Sequence, residues 1–136
     1  MWRWRDGVSG GAIPGVIIYK LFTRSYVRHE QLEAAIRFYE ELSGEPCGLR
    51  YEHGRDGIRA AVVGGVHIVA GAEAGLYDHP EIRATYLVDR VENFIDQLLR
   101  LGAEIVEEPM KAPQGHSMVV RHPDGLLVEY VDGETD

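Results

Sequence analysis

Glu129 is the residue whose setting is hardest to explain without chemistry. It lies in LLVEYV, residues 126–131, where strand alternation puts Leu127 and Val131 on its own face and Leu126, Val128 and Tyr130 on the other. A carboxylate with apolar neighbours on both faces is costly to bury unless a cation or hydrogen-bond donors accompany it. Two histidines stand in comparable runs, His67 in VHIVAG and His116 in GHSMVV. An imidazole titrates near neutral pH and can serve as a general base, although the sequence identifies no neighbour to orient either ring. Glu129, His67 and His116 are therefore the catalytic candidates, against the plainer reading of His67 as a packed or rim histidine.

The other reactive residue types have structural explanations. His122 and Asp124 belong to HPDG, residues 122–125, where Asp supports a bend through the backbone and Gly125 permits a positive φ. His29, His53 and His79 lie in polar or turn-like surroundings and are assigned to the surface. Cys47, the only cysteine, has no His or basic motif beside it and reads as a small half-buried residue. A single cysteine forms no internal disulfide and fits a reducing, cytoplasmic compartment. The chain contains no phosphate-binding glycine loop, zinc-spaced Cys/His cluster or serine-nucleophile motif.

The elements that must position these residues occur twice in the same order. Ile17 to Val27 is rich in β-branched and aromatic residues and reads as a strand. Leu32, Ala35, Ile36, Tyr39 and Leu42 then recur at helical spacing, with Gly44 as the stop. Strand-like runs follow near 48–52, 58–63 and 66–71. After GAEAGLYDHPE the order repeats: a strand from Arg83 to Val88, then a helix with Val91, Phe94, Ile95, Leu98 and Leu101 on one face, ended by Gly102. The last strands lie near 104–107, 116–121 and 126–131. The loop EEPMKAPQG, with two prolines and a glycine, reads as a lid placed just before His116.

The segments YVRHEQLEAAIRFYEELSG and YLVDRVENFIDQLLRLGAEIVEEP, followed by VVRHPDGLLVEYVDG, resemble the two half-signatures of the vicinal-oxygen-chelate superfamily of glyoxalases, bleomycin-resistance proteins and extradiol dioxygenases. The resemblance covers about residues 17–133 and is strongest at Phe38-Tyr39 and from Pro123 to Glu129. It implies an α+β fold in which two βαβββ modules form a mixed-sheet half-barrel cup, often in a homodimer, with the ligand in the cup. The expected organisation is a flexible N-terminal extension over 1–16 and one domain over 17–136. Its halves are 17–72 and 82–133, joined by a linker at 73–81.

The resemblance also implies four metal-ligand positions, one on the first and one on the last strand of each half. Arg24 and Arg83 fall at the first-strand positions, and a guanidinium has no lone pair to donate. Glu129 matches one last-strand position. Its counterpart is Val69 or Ile68, depending on whether Gly65 or Gly64 aligns with Gly125. One ligand of four is too few for a stable catalytic site, so no metal cofactor is expected; His67 with Glu129 is the weak alternative for a divalent metal. The polar residues expected to line the cup are instead Arg24, Tyr26, Arg83, Tyr86 and Glu129. An arginine there would present a bidentate fork to a carboxylate, enolate or phenolate, or would form a structural ion pair with Glu129.

Composition narrows the partners. The formal charge of −8 with 14 scattered Lys and Arg argues against nucleic acid, and no run approaches membrane-spanning length. Three functions remain open. The first is a metal-independent protein that binds or sequesters a small organic molecule, with Tyr26, Tyr51, Tyr86 and Tyr130 available for stacking. The second is a lyase, isomerase or oxygenase with a relocated metal, or a metal-free acid–base catalyst. The third is a dimeric scaffold.

Overall fold

The computed structural model describes residues 16–53, 57–71, 81–112 and 115–133. The expected extension, Val16 apart, lies outside these residues, as do His79 and all of the linker but Glu81 that was placed at 73–81. The order of elements is strand β1 (Ile18–Arg28), a 3-10 turn (His29–Gln31), helix α1 (Leu32–Ser43), and strands β2 (Leu49–His53), β3 (Ile58–Val63) and β4 (Val66–Gly71). It repeats as β5 (Ala84–Val88), a 3-10 turn (Val91–Phe94), helix α2 (Ile95–Arg100), β6 (Glu104–Ala112), β7 (Gly115–Arg121) and β8 (Leu127–Gly133). The fold class is therefore α+β, with the βαβββ order present twice. No helix among the described residues is long and apolar enough to cross a membrane.

The chain forms two compact units, one of residues 22–85 and one of residues 1–21 with 86–136, whose boundaries fall within β1 and within β5. In the unit of residues 22–85 the strands run in the order β2-β3-β4-β1, with β1 parallel to β4 and the others antiparallel. The start of β5 lies beside β1, because the Arg24 N–H donates to the Arg83 carbonyl at 3.0 Å. Helix α1 covers one face of this sheet. Its Leu32 and Ile36 are buried with Ala61, Val63, Ile68 and Ala70, and Cys47 packs half-buried against them. Gly44 ends the helix in the left-handed region at φ 75, with its N–H donated to the Glu40 carbonyl. Leu42, expected on the buried face, is instead 71% exposed, while the next residue, Ser43, lies against Gly64 between β3 and β4.

In the other unit β8 lies between β5 and β7, and β6 is the edge strand. Met118, Val120, Val128 and Tyr130 alternate along β7 and β8 on the buried face beneath the Val91–Phe94 turn. Helix α2 is a short α-segment entered through the Val91–Phe94 turn, so Leu101 falls beyond its end and is 63% exposed. The expected lid is not a lid over most of its length. Residues 107–112 continue β6 in an antiparallel pair with β7, Met110 opposite Ser117 and Ala112 opposite Gly115. Pro109 is tolerated because β6 is an edge strand and its register shifts between Glu107 and Met110.

Candidate functional site

Strand parity sorts the polar residues of the unit of residues 22–85. Ile68 and Ala70 face α1, so His67 and Val69 take the opposite face of β4, and the register Arg24↔His67 and Tyr26↔Val69 puts Arg24 and Tyr26 there too. Tyr51 joins them through Ala60, its neighbour in the ladder, which is opposite Val69. The face that the helix leaves uncovered therefore carries the polar side chains, and Ile68 drops out as the counterpart of Glu129.

These side chains form one chain of hydrogen bonds. The Tyr51 hydroxyl lies 2.8 Å from Nε2 of His67, and Nδ1 of the same ring lies 2.9 Å from the Thr85 hydroxyl. Arg24 donates from Nε to Thr85 at 3.0 Å and from a terminal nitrogen to the Tyr26 hydroxyl at 3.2 Å. Tyr26 in turn donates to the Ile82 carbonyl at 3.0 Å. His67 and Thr85 are almost wholly buried, at 4% and 5% exposed, whereas Arg24, Tyr26 and Tyr51 are half-buried. The inner pair thus holds the orientation of the half-buried outer groups.

The donor set does not suit a divalent metal. Both ring nitrogens of His67 have hydroxyl partners, and Arg24 offers only N–H donors. No group of three or more His, Cys, Asp or Glu that could hold a metal occurs among the described residues.

The remaining expected site residues are placed differently. Arg83 is exposed just before β5 and contributes its carbonyl, not its guanidinium, to Arg24. Glu129 lies in the other unit, half-buried opposite Val119, on the face away from Tyr130, in the register expected from LLVEYV. Tyr86 has the opposite parity to Thr85 and joins the helix-side cluster of that unit, its ring 5.2 Å from Tyr130 and 5.8 Å from His122. Tyr130 contacts Phe94 at 5.6 Å. His116 is half-exposed in its side chain; its N–H donates to Asp132 Oδ1 at 2.9 Å, and its Nδ1 lies 3.8 Å from the same oxygen. His29, assigned to the surface, is instead half-buried with a shielded Nδ1.

Two residues gain roles that the sequence did not indicate. Thr85 joins His67 to Arg24; the available signal was a polar β-branched residue alternating within an otherwise apolar strand. His122 does sit in the turn, where Asp124 accepts the Leu126 N–H at 3.1 Å and Gly125 has φ 97. Its ring also reaches back to the Tyr130 hydroxyl at 2.8 Å. Burial pushes its pKa below the ordinary histidine value, with Asp124 opposing in part, and burial raises Tyr130 and Tyr86.

Comparisons with known proteins agree with this architecture. A structure of an uncharacterized protein from Methanosarcina mazei is 37% identical, with a TM-score of 0.77, covering 88% of this chain and 96% of that one. Methylmalonyl-CoA epimerase from Mycobacterium tuberculosis shares the fold at 17% identity and a TM-score of 0.63, over 90% of this chain and 93% of that one. A mutant 4-hydroxymandelate synthase from Streptomyces coelicolor does so at 14% identity and 0.53, over 94% of this chain but 52% of its own. No curated protein matches the chain. The family model for the Glyoxalase/Bleomycin resistance protein/Dioxygenase superfamily matches residues 23–130, and the chain belongs to that superfamily.

Proposed function

We propose that the protein binds a small organic ligand on the face of the unit of residues 22–85 opposite helix α1, without a divalent metal. The observation that carries this reading is the hydrogen-bonded run Tyr51–His67–Thr85–Arg24–Tyr26. A buried His–Thr pair fixes a guanidinium and two phenols, which suits recognition of a carboxylate, enolate or phenolate more than metal ligation. Membership of a superfamily whose description spans resistance proteins and dioxygenases supports a small-molecule role. A homodimer belongs to the same proposal and is tested by light scattering, where a monomer mass at micromolar concentration overturns it.

The test is titration of chelator-treated, 15N-labelled protein with benzoate. Saturable shifts at Arg24 and Tyr51 are expected, and Arg24→Met should weaken binding by at least about tenfold, the loss of one charge-assisted contact. Binding that appears only after Zn, Mn or Ni is restored overturns the metal-free reading. Absence of any saturable shift overturns the ligand class.

A second reading, a metal-free acid–base catalyst, is favoured by the 2.8 Å contact of the Tyr51 hydroxyl with His67. That hydroxyl is the outer end of a path along which a proton can pass to the imidazole. His67→Gln should then abolish turnover while retaining binding.

A further inference from the structure

The helix side of the unit containing residues 86–136 carries a separate feature. Helix α2, β5 and β8 leave an open groove of about 470 Å³. That volume is in the range that holds a small organic molecule. Tyr86 and Tyr130 form an aromatic floor, their planes inclined by 56°, and Leu98 and the exposed Leu101 form a wall.

Three lining residues have polar atoms without a hydrogen-bond partner among the described residues: the Tyr86 hydroxyl, the Gln97 side-chain amide and Nδ1 of His122. The single shielded side-chain polar atom without a partner among the described residues is His29 Nδ1, so these three face accessible space. No Lys or Arg lines the groove, and its one carboxylate, Asp124, already accepts the Leu126 N–H.

We propose that this groove is a second ligand site, for a neutral planar aromatic molecule bearing a hydroxyl, of the phenol class. The accessible part of the Tyr86 ring, backed by the buried Tyr130, supplies stacking area, and an apolar lining without a cation disfavours an organic anion. A hydroxyl both donates and accepts, and Gln97 and Tyr86 each offer both functions within the groove. With Tyr130 donating to Nε2, the proton of neutral His122 sits on Nδ1 and adds a donor.

The experiment is a titration of 15N-labelled protein with phenol, with toluene as the control that lacks only the hydroxyl. Saturable phenol shifts confined to Tyr86, Gln97, Leu101 and His122 are expected, with toluene binding more weakly. Tyr86→Phe should weaken phenol by about 3- to 10-fold, the worth of one neutral hydrogen bond, and leave toluene unchanged. Equal binding of phenol and toluene, shifts confined to Tyr51 and Thr85, or no saturable shift each overturns the proposal. Because the benzoate test reads Arg24 and Tyr51 in the other unit, failure of one site is distinguishable from failure of the other.

Discussion

The hydroxyl oxygen of Thr85 stands 2.9 Å from Nδ1 of His67, and both side chains are almost wholly buried. The same oxygen accepts the Nε–H of Arg24 at 3.0 Å, so one threonine satisfies a buried imidazole and orients a half-buried guanidinium. Where Thr85 gives its own proton to Nδ1, the ring proton is on Nε2 and is donated to Tyr51. In the other tautomer Tyr51 is the donor.

Thr85→Val keeps the shape and removes both hydrogen bonds. It should lower unfolding free energy by about 1–3 kcal/mol, the cost of taking the hydroxyl away from a buried imidazole and from the Arg24 Nε–H. Urea denaturation measures it, and Thr85→Ser should recover most of the loss. A stability equal to that of the parent would show that the hydroxyl does not hold the ring.

Gly115→Ala tests a close backbone approach. A Cβ at residue 115 would stand 2.2 Å from the Asp132 carbonyl oxygen and 2.8 Å from its Oδ1. Backbone cannot yield there as a flexible side chain would, so β7 and β8 must separate locally. The expected loss is about 1–3 kcal/mol, as for overpacking elsewhere in proteins, with weakened amide protection at Met118 and Tyr130. Unchanged protection in hydrogen exchange would contradict the geometry.

Asp132 joins two segments through its carboxylate. Oδ2 accepts the Val91 N–H at 2.8 Å and Oδ1 accepts the His116 N–H at 2.9 Å, in a side chain that is 7% exposed as a residue. Asp132→Asn replaces one acceptor with an amide donor facing a donor. It should cost about 1–3 kcal/mol, and Asp132→Ala no less. Thermal unfolding that is equal for Asn and parent would mean that one of the two bonds carries no weight.

The βαβββ repetition was legible because it rests on local signals: a switch of period after Val27, a glycine after each helix, and HPDG. The register of Glu129 was legible for the same reason, since alternation needs no knowledge of the neighbouring strands. The Arg24 network was only half legible. Arg24, Tyr26, Tyr51 and His67 were identifiable singly, but their union depends on the register Arg24↔His67 and on Thr85, which belongs to a strand about sixty residues away in sequence. The lid was not legible because prolines and a glycine mark loops in general, whereas an edge strand with a bulge accommodates the same residues. Tyr86 was assigned with Arg83, although adjacent strand positions point to opposite faces: Thr85 took the position beside the network, and Tyr86 went to the helix side.

The hydrogen-bonded pair of His122 and Tyr130 makes stability depend on pH at both ends of the scale. Burial holds the His122 pKa below its ordinary 6.5, so below that pH the unfolded chain takes up a proton that the folded chain resists. The folded state therefore loses stability as pH falls from 6.5 through the folded value of this group. The phenols act in the opposite direction. Burial holds Tyr130 and Tyr86 above their ordinary 10.0, so above that pH the unfolded chain releases protons that the folded chain retains, and stability is lost as pH rises beyond 10.0. His122→Gln retains a polar partner for Tyr130 but does not titrate. Unfolding free energies followed across pH should therefore show a shallower acid slope in this variant than in the parent, whatever constant offset the substitution adds. Tyr86→Phe should flatten the alkaline limb and leave the acid limb alone. Parallel acid slopes in parent and His122→Gln would show that His122 is no less solvated in the folded protein than in the unfolded chain, and would contradict its placement against Tyr86 and Tyr130.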